Sequence, residues 1–314
     1  MGNTATLDSV QRALVNKTDS PTSRNPVSTQ RDLEDGGSTL PEVTTQTASF
    51  GYRMRKQVSF DELSMRSAKD LCMKEELVPA KVANPLHPVV ADLARRYPGP
   101  MELLMPAQEG ADVVYQFKKT GSTYQGEVLD SKPDGRGIIV TTKGAMIQGL
   151  FEKGAMKGAA RIIDPNGTVY IGHIENRLKN GKGFYRESGG CTIDADWLNG
   201  VTNGFVVVRA PNGQTIFEGT TIAGKRHGFG KLRNLIQKFT YEGEFRDDMF
   251  NGEGIKIFDS GKVYRGNFRN GLECGYGELQ TIDGRTIKAH FENGVPRGPG
   301  ILVTNELEHK EVIF

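Results

Sequence analysis

The residues best suited to carry chemistry stand at the start of the sequence. Met1-Gly2-Asn3-Thr4-Ala5-Thr6 fits M-G-x-x-x-[ST], in which removal of Met1 exposes the Gly2 amine for N-myristoylation. One myristoyl chain holds a protein on a membrane only marginally, so a second signal is required. Arg12, Lys17 and Arg24 are the only bases in the first 30 residues, and the short knot Arg53, Arg55, Lys56 adds little, which points to a partner protein, or many copies on one assembly, as that second signal. Ser59 follows Arg55-Lys56-Gln57-Val58, a basophilic-kinase context. It also stands three residues before Glu62, the S-x-x-E spacing of a helix cap.

Other reactive side chains do not assemble into a catalytic pattern. His87, His173, His227, His290 and His309 lack companions at ligand spacing, so no metal is expected. Cys72, Cys191 and Cys274 are far apart and form no CxxC. Glu242 and Glu244 project from one face of a strand and read as solvated carboxylates, not as an acid/base pair. Six GxG pairs, among them Gly181/Gly183 and Gly252/Gly254, could cradle a phosphate only if a helix followed, and none is signalled. No nucleophile elbow, P-loop, dinucleotide fingerprint or kinase signature is present. The reading is of a protein that is not an enzyme and carries no cofactor.

A repeat accounts for the glycines. Gly126, Gly149, Gly172, Ala195, Gly219, Gly243, Gly266 and Ala289 form a column with spacings of 23 or 24 residues. A second column follows nine residues downstream at Gly135, Gly158, Gly181, Gly204, Gly228, Gly252, Gly275 and Gly298. A period of this length means stacked supersecondary units. Within each unit, alternation predicts a β-hairpin. One inward column reads Tyr124, Ile147, Tyr170, Ile193, Phe217, Tyr241, Tyr264 and Ile287. Another, four residues on, reads Val128, Phe151, Ile174, Trp197, Thr221, Phe245, Phe268 and Phe291. Pro165-Asn166-Gly167, Pro211-Asn212-Gly213, Ser260-Gly261 and Asp283-Gly284 mark turns between units.

The pattern resembles the MORN repeat (membrane occupation and recognition nexus), with YEGEFRDDMFNGEG at Tyr241–Gly254 and YRGNFRNGLECGYG at Tyr264–Gly277 as its clearest copies. Ser131, Arg177 and Asp248 replace the mid-hairpin glycine, and Ala195 and Val206 occupy other glycine positions. The resemblance implies roles at membrane–cytoskeleton junctions such as flagella or the cell cortex, with partner binding or self-association through the repeats.

The expected organisation is a flexible, acylated arm over 1–58, short helices capping the stack over 59–110, and an all-β, solenoid-like stack of eight hairpins over 111–314. One helix is predicted from Ser59 to about residue 78, stopped by Pro79. Another is predicted from Pro88 to Tyr97, with Val89, Leu93 and Tyr97 on one face. Forty Lys and Arg against 38 Asp and Glu give a net charge of +2, too small a surplus for a nucleic-acid binder. The same balance weighs against direct phosphoinositide binding, the alternative function. No apolar run long enough to span a bilayer and no secretory signal core occur, so an intracellular, peripheral-membrane protein is expected.

Overall fold

The computed structural model describes residues 76–100 and 113–314. The predicted helix from Ser59 lies outside them except at its end, and there the expectation fails. Leu77–Ala80 forms strand β1, antiparallel to β2 at Val114–Phe117. Pro79 sits within β1 and does not terminate a helix; an edge strand tolerates a residue that has no N–H to donate. Helix α1 spans Pro88–Arg96 with Pro at its start. Its buried residues are Val90 and Leu93, while Val89 faces outward.

Eight hairpins follow β2. They are β3/β4 (Thr123–Leu129, Lys132–Val140), β5/β6 (Met146–Glu152, Ala155–Ile163), β7/β8 (Val169–Glu175, Leu178–Arg186) and β9/β10 (Thr192–Leu198, Val201–Arg209). Then come β11/β12 (Thr215–Ile222, Lys225–Asn234), β13/β14 (Phe239–Arg246, Met249–Phe258), β15/β16 (Val263–Arg269, Leu272–Gln280) and β17/β18 (Thr286–Glu292, Val295–Val303), with β19 (His309–Ile313) last. Each strand pairs antiparallel with the next, so the sheet is one open meander.

The hairpin turns use two residues with positive φ, the type I′ geometry that matches strand twist. Lys153-Gly154 and Asn199-Gly200 do this with glycine second. Asp130-Ser131 (49°, 58°), Asn176-Arg177 (48°, 64°) and Asp247-Asp248 (50°, 73°) hold the same turn without it. The three missing glycines therefore leave the hairpin unchanged.

The pairing register lines the glycines up across the sheet. Gly126 pairs with Gly137, Gly137 with Gly149, Gly149 with Ala160, and the row continues through Gly172, Gly183, Ala195, Val206, Gly219, Gly230, Gly243, Gly254, Gly266 and Gly277 to Ala289 and Gly300. The reason is steric. A Cβ on Gly137 would stand 2.3 Å from the Tyr124 ring, and one on Gly254 would stand 2.6 Å from the Tyr241 hydroxyl. Wherever the first inward column is aromatic, at Tyr124, Tyr170, Phe217, Tyr241 and Tyr264, both row positions of that hairpin are glycine. Wherever it is Ile147, Ile193 or Ile287, at least one is Ala or Val. Ala195 and Val206 are thus the companions of a smaller side chain.

Directly beyond the row, all eight hairpins slip register, from Gly126/Val128 in the first to Ala289/His290 in the last. Such bulges bend a strand and increase its twist. Each tyrosine hydroxyl secures the bend by donating to the carbonyl three residues on: Tyr124 to Glu127 (2.6 Å), Tyr170 to His173 (2.7 Å), Tyr241 to Glu244 (2.8 Å) and Tyr264 to Asn267 (3.2 Å).

Gly254 has no positive φ, so alanine there tests the contact alone. Gly254→Ala is expected to destabilise the stack by about 1–3 kcal/mol through overpacking against Tyr241. In a Tyr241→Ile background the same change should cost clearly less. Denaturant unfolding of the four chains of this cycle measures the coupling; additive effects would contradict the ring-over-glycine contact.

Candidate interaction surface

The inward face of the sheet is a continuous core. Tyr124, Tyr170, Tyr241, Tyr264 and Phe291 are at most 1% exposed, and Trp197, Phe245 and Phe268 are also buried. Neighbouring repeats interlock edge-to-face, as Tyr241 does with Phe268 (5.1 Å between ring centres) and Tyr264 with Phe291 (5.0 Å). Burial holds the Tyr170, Tyr241 and Tyr264 phenols well above their ordinary range, so they stay protonated donors. Of the column glycines, Gly126, Gly149, Gly172, Gly219, Gly243 and Gly266 all lie in the row described above. Gly2 and Ser59 lie outside the described residues.

Polar side chains that no period in the sequence marks intrude on this core. Lys179 is 2% exposed, with Nζ 4.0 Å from the Tyr185 ring centre, 4.2 Å from Trp197 and 5.5 Å from Tyr170. Burial pushes its pKa down to about 7, opposed by the charge of Glu187. The three rings favour the cation as well. Trp197 donates its indole N–H to the Gly183 carbonyl (3.1 Å), which fixes one wall of the cage. Arg226, two hairpins on, lies against Phe217 and Phe245 and pairs with Asp248 at 3.1 Å. Lys256 and Glu273 pair at 3.2 Å, each 15% exposed.

On the opposite face α1 covers the first hairpins. Val90 and Leu93 pack with Met146, Ile163 and Val169, and Tyr97 stacks on Phe184 at 5.4 Å. Arg161 donates to the Ala94 and Tyr97 carbonyls (3.2 and 3.0 Å), placing a cation at the helix C-terminus. Asn84 ties the preceding segment down through the Gly121 and Val140 carbonyls. Where α1 ends, a groove of about 530 Å³ opens between Pro100, Ile171, Phe184, Asp194, Phe205 and Val207.

From that groove onward the outward face carries exposed aromatics: Phe205 (50%) at its edge, then Phe229 (52%) and Tyr276 (62%). Phe229 and Tyr276 occupy the middle position of G-x-G pairs, and Phe205 the equivalent position between Gly204 and Val206. Since side chains alternate along a strand, flanking glycines that face the core point the middle residue out. Between them runs a ladder of charge, with Lys231 on Glu242 at 3.1 Å and Lys288 on Glu278 at 2.8 Å. Glu242 is thus an ion-pair partner. His173 and His290 are both exposed on this face but remain in separate repeats. Among the described residues no group of three His, Cys, Asp or Glu side chains could hold a metal, and no helix is long and apolar enough to cross a membrane.

The MORN repeat family model matches residues 124–146, 217–233, 241–263 and 264–284. Those four segments carry MORN repeats. Alsin of Mus musculus and Alsin of Homo sapiens are each 26% identical to it over 149 residues, which is 45% of this chain and 9% of Alsin. The match therefore spans under a tenth of those relatives' length. Among solved structures, the SAS-4 (dCPAP) TCP domain of Drosophila melanogaster, in complex with a proline-rich motif of Ana2, covers 60% of this chain and 97% of its own at a TM-score of 0.31 and 14% identity. The TCP10 domain of Danio rerio CPAP covers 62% and 97%, at a TM-score of 0.24 and 12% identity.

Lys179 makes the hairpin stack sensitive to pH. Its folded pKa lies below the unfolded value of 10.5, so between about pH 7 and pH 10.5 the unfolded chain binds more protons and stability rises with pH. From pH 7 to pH 9 the gain is expected to reach about 2 kcal/mol. Lys179→Met should flatten that slope in denaturant titrations; an unaltered slope would place the titration elsewhere.

Proposed function

We propose that this chain is a non-catalytic adaptor that binds a partner protein along its MORN-repeat sheet and is tethered to a membrane through a myristoyl group on Gly2. The observation that carries the reading is the unbroken outward face from β9 to β18, with Phe205, Phe229 and Tyr276 exposed along it. Extended, solvent-facing surfaces of stacked repeats are what solenoid proteins use to hold ligands. MORN repeats are typically non-catalytic and serve as protein- or membrane-binding modules, which supports the adaptor role. The chain would then work as a peripheral protein at a membrane–cytoskeleton junction such as a flagellum or the cell cortex. Direct phosphoinositide binding is the weaker reading: the outward charges alternate in sign and form no basic cluster that would attract anionic lipid.

The test compares wild type, Gly2→Ala and a truncation lacking 121–314 in cell fractionation and imaging, with myristate labelling of wild type. Gly2→Ala should leave folding and solution binding intact while membrane association falls sharply, because a single acyl chain contributes about 0.8 kcal/mol per buried methylene. The residual association should disappear when the repeats are also removed. Unchanged membrane localisation of Gly2→Ala, with no label on wild type, would exclude the tether and leave an untethered adaptor.

A further inference from the structure

The bulge beyond the glycine row forms a small receptor for negative charge, and in several hairpins the chain fills it with its own carboxylate. In β3/β4 the Glu127 carboxylate lies over Gly135 and accepts the Arg136 N–H (3.2 Å). In β9/β10 Asp196 lies over Gly204 and accepts the Phe205 N–H (3.3 Å). Glu244 lies over Gly252 in β13/β14. The receptor is made of backbone: each of these glycines has a positive φ and no Cβ in the way, and the N–H groups around such a turn of the chain converge on an anion.

The hairpin β15/β16 has the same receptor without the carboxylate. Tyr264-Arg265-Gly266-Asn267-Phe268-Arg269 repeats Tyr241-Glu242-Gly243-Glu244-Phe245-Arg246 of the preceding hairpin, with Asn267 where Glu244 stands. The backbone is alike, with φ of 66° at Gly275 and 61° at Gly252. Among the described residues, a Cβ built on Gly275 would meet only the Asn267 Cβ, at 3.7 Å, so the space that Glu244 fills one hairpin earlier is open. It belongs to a groove of about 750 Å³ lined by Asn251, Asn267, Arg269 and His290. We propose that this groove is a binding site for a single carboxylate, supplied by an aspartate or glutamate side chain of the partner and taking the place that Glu244 holds in β13/β14. The proposal rests on the adaptor reading and names the chemistry of its partner.

The donors are those of the filled receptors with two additions. The Tyr276 N–H is the counterpart of the Arg136 and Phe205 N–H groups, the Asn267 amide can donate where a carboxylate could not, and Arg269 supplies positive charge, which strengthens such bonds. The remaining hairpins lack one part or another. Leu150 leans over Gly158 and Thr220 over Gly228. Gly181 is open, but Glu175 stands at the position of Arg269; Gly298 is open, but Pro299 follows it and has no N–H to donate. Glu253, opposite Asn267 in the register, and Glu292 on the groove wall restrict the charge that can enter. A phosphate or a run of acidic residues is therefore disfavoured, whereas one carboxylate between apolar neighbours fits against Leu272 and the exposed Tyr276 ring.

The experiment titrates the full chain, labelled with 15N-tyrosine, with the capped peptide acetyl-Leu-Asp-Leu-amide and with its Asn counterpart at constant ionic strength. Tyr276→Phe assigns the Tyr276 amide signal. No membrane or myristate is present, so the outcome is separate from that of the tether. The Asp peptide is expected to move the Tyr276 amide proton downfield and saturably, and the Asn peptide to bind about tenfold more weakly or worse. Asn267→Asp restores the chain's own carboxylate, as at Asp196, and should weaken the Asp peptide by about tenfold or more with no loss of melting temperature. Arg269→Gln should weaken it by about threefold, the effect of one exposed charge. No saturable shift up to about 10 mM peptide, equal binding of the two peptides, inorganic phosphate binding as well as the Asp peptide, or a folded Asn267→Asp chain that binds like wild type would each overturn the proposal.

Discussion

The contact on which this structure rests is a ring lying over bare backbone. A single sheet has no second layer to cover its aromatic side chains, and a tyrosine standing up from it would stay half wet. Here the ring leans onto the two adjacent strands of its own hairpin, which is possible only because neither carries a Cβ beneath it. The hydroxyl then reaches past the glycines to a carbonyl at the bulge and holds the strand in its bend. The bend in turn carries the second inward column over the ring: Phe245 and Phe268 both meet Tyr241 edge-on. Burial of about 150–250 Å² per aromatic thus comes from local geometry repeated in five hairpins, where a globular domain would use a second layer.

This arrangement leaves the two faces with separate duties. The inward face is closed by its own rings, so the outward one is not needed for stability over most of its length. Helix α1 covers only the early hairpins, anchored by Val90, Leu93 and Tyr97, and the strands beyond Phe184 remain uncovered by it. Lys179 shows the tolerance of the inward face. A buried ammonium there is set among Tyr170, Tyr185 and Trp197, whose quadrupoles replace part of the lost hydration.

Much of this was legible in the sequence because period and alternation are both projections of the same register. The 23-residue spacing located the hairpins, and alternation within them identified the inward columns from Tyr124 to Phe291. What the spacing could not convey was why glycine gave way at particular repeats. Ala195 and Val206 look like departures until Ile193 is seen to leave room where Tyr241 does not. Pro79 was read as a helix stop because proline usually is one, whereas an edge strand without a ladder bond to lose accepts it. The position of Phe205, Phe229 and Tyr276 holds Arg136, Lys182 and Glu253 in other repeats, so it carries no periodic signal of an exposed aromatic. Lys179 carried no signal, since the alternation that turns it inward applies equally to the Met156 and Phe250 found at the same register position of other repeats.

Recognition by such a face must work differently from recognition by a basic groove. Glu218, Glu242 and Glu278 balance Lys231, Arg265 and Lys288, so the row as a whole exerts almost no field at distances beyond a Debye length. Long-range steering of an anionic surface is therefore weak, and selectivity has to arise at contact, where each position demands a particular sign. A ligand displaced by one strand, about 4.8 Å, would meet repulsion at most of those positions. The spacing that the glycine row imposes on the backbone thus also sets the spacing at which the outward charges can be read, which joins the packing of the core to the specificity of the surface.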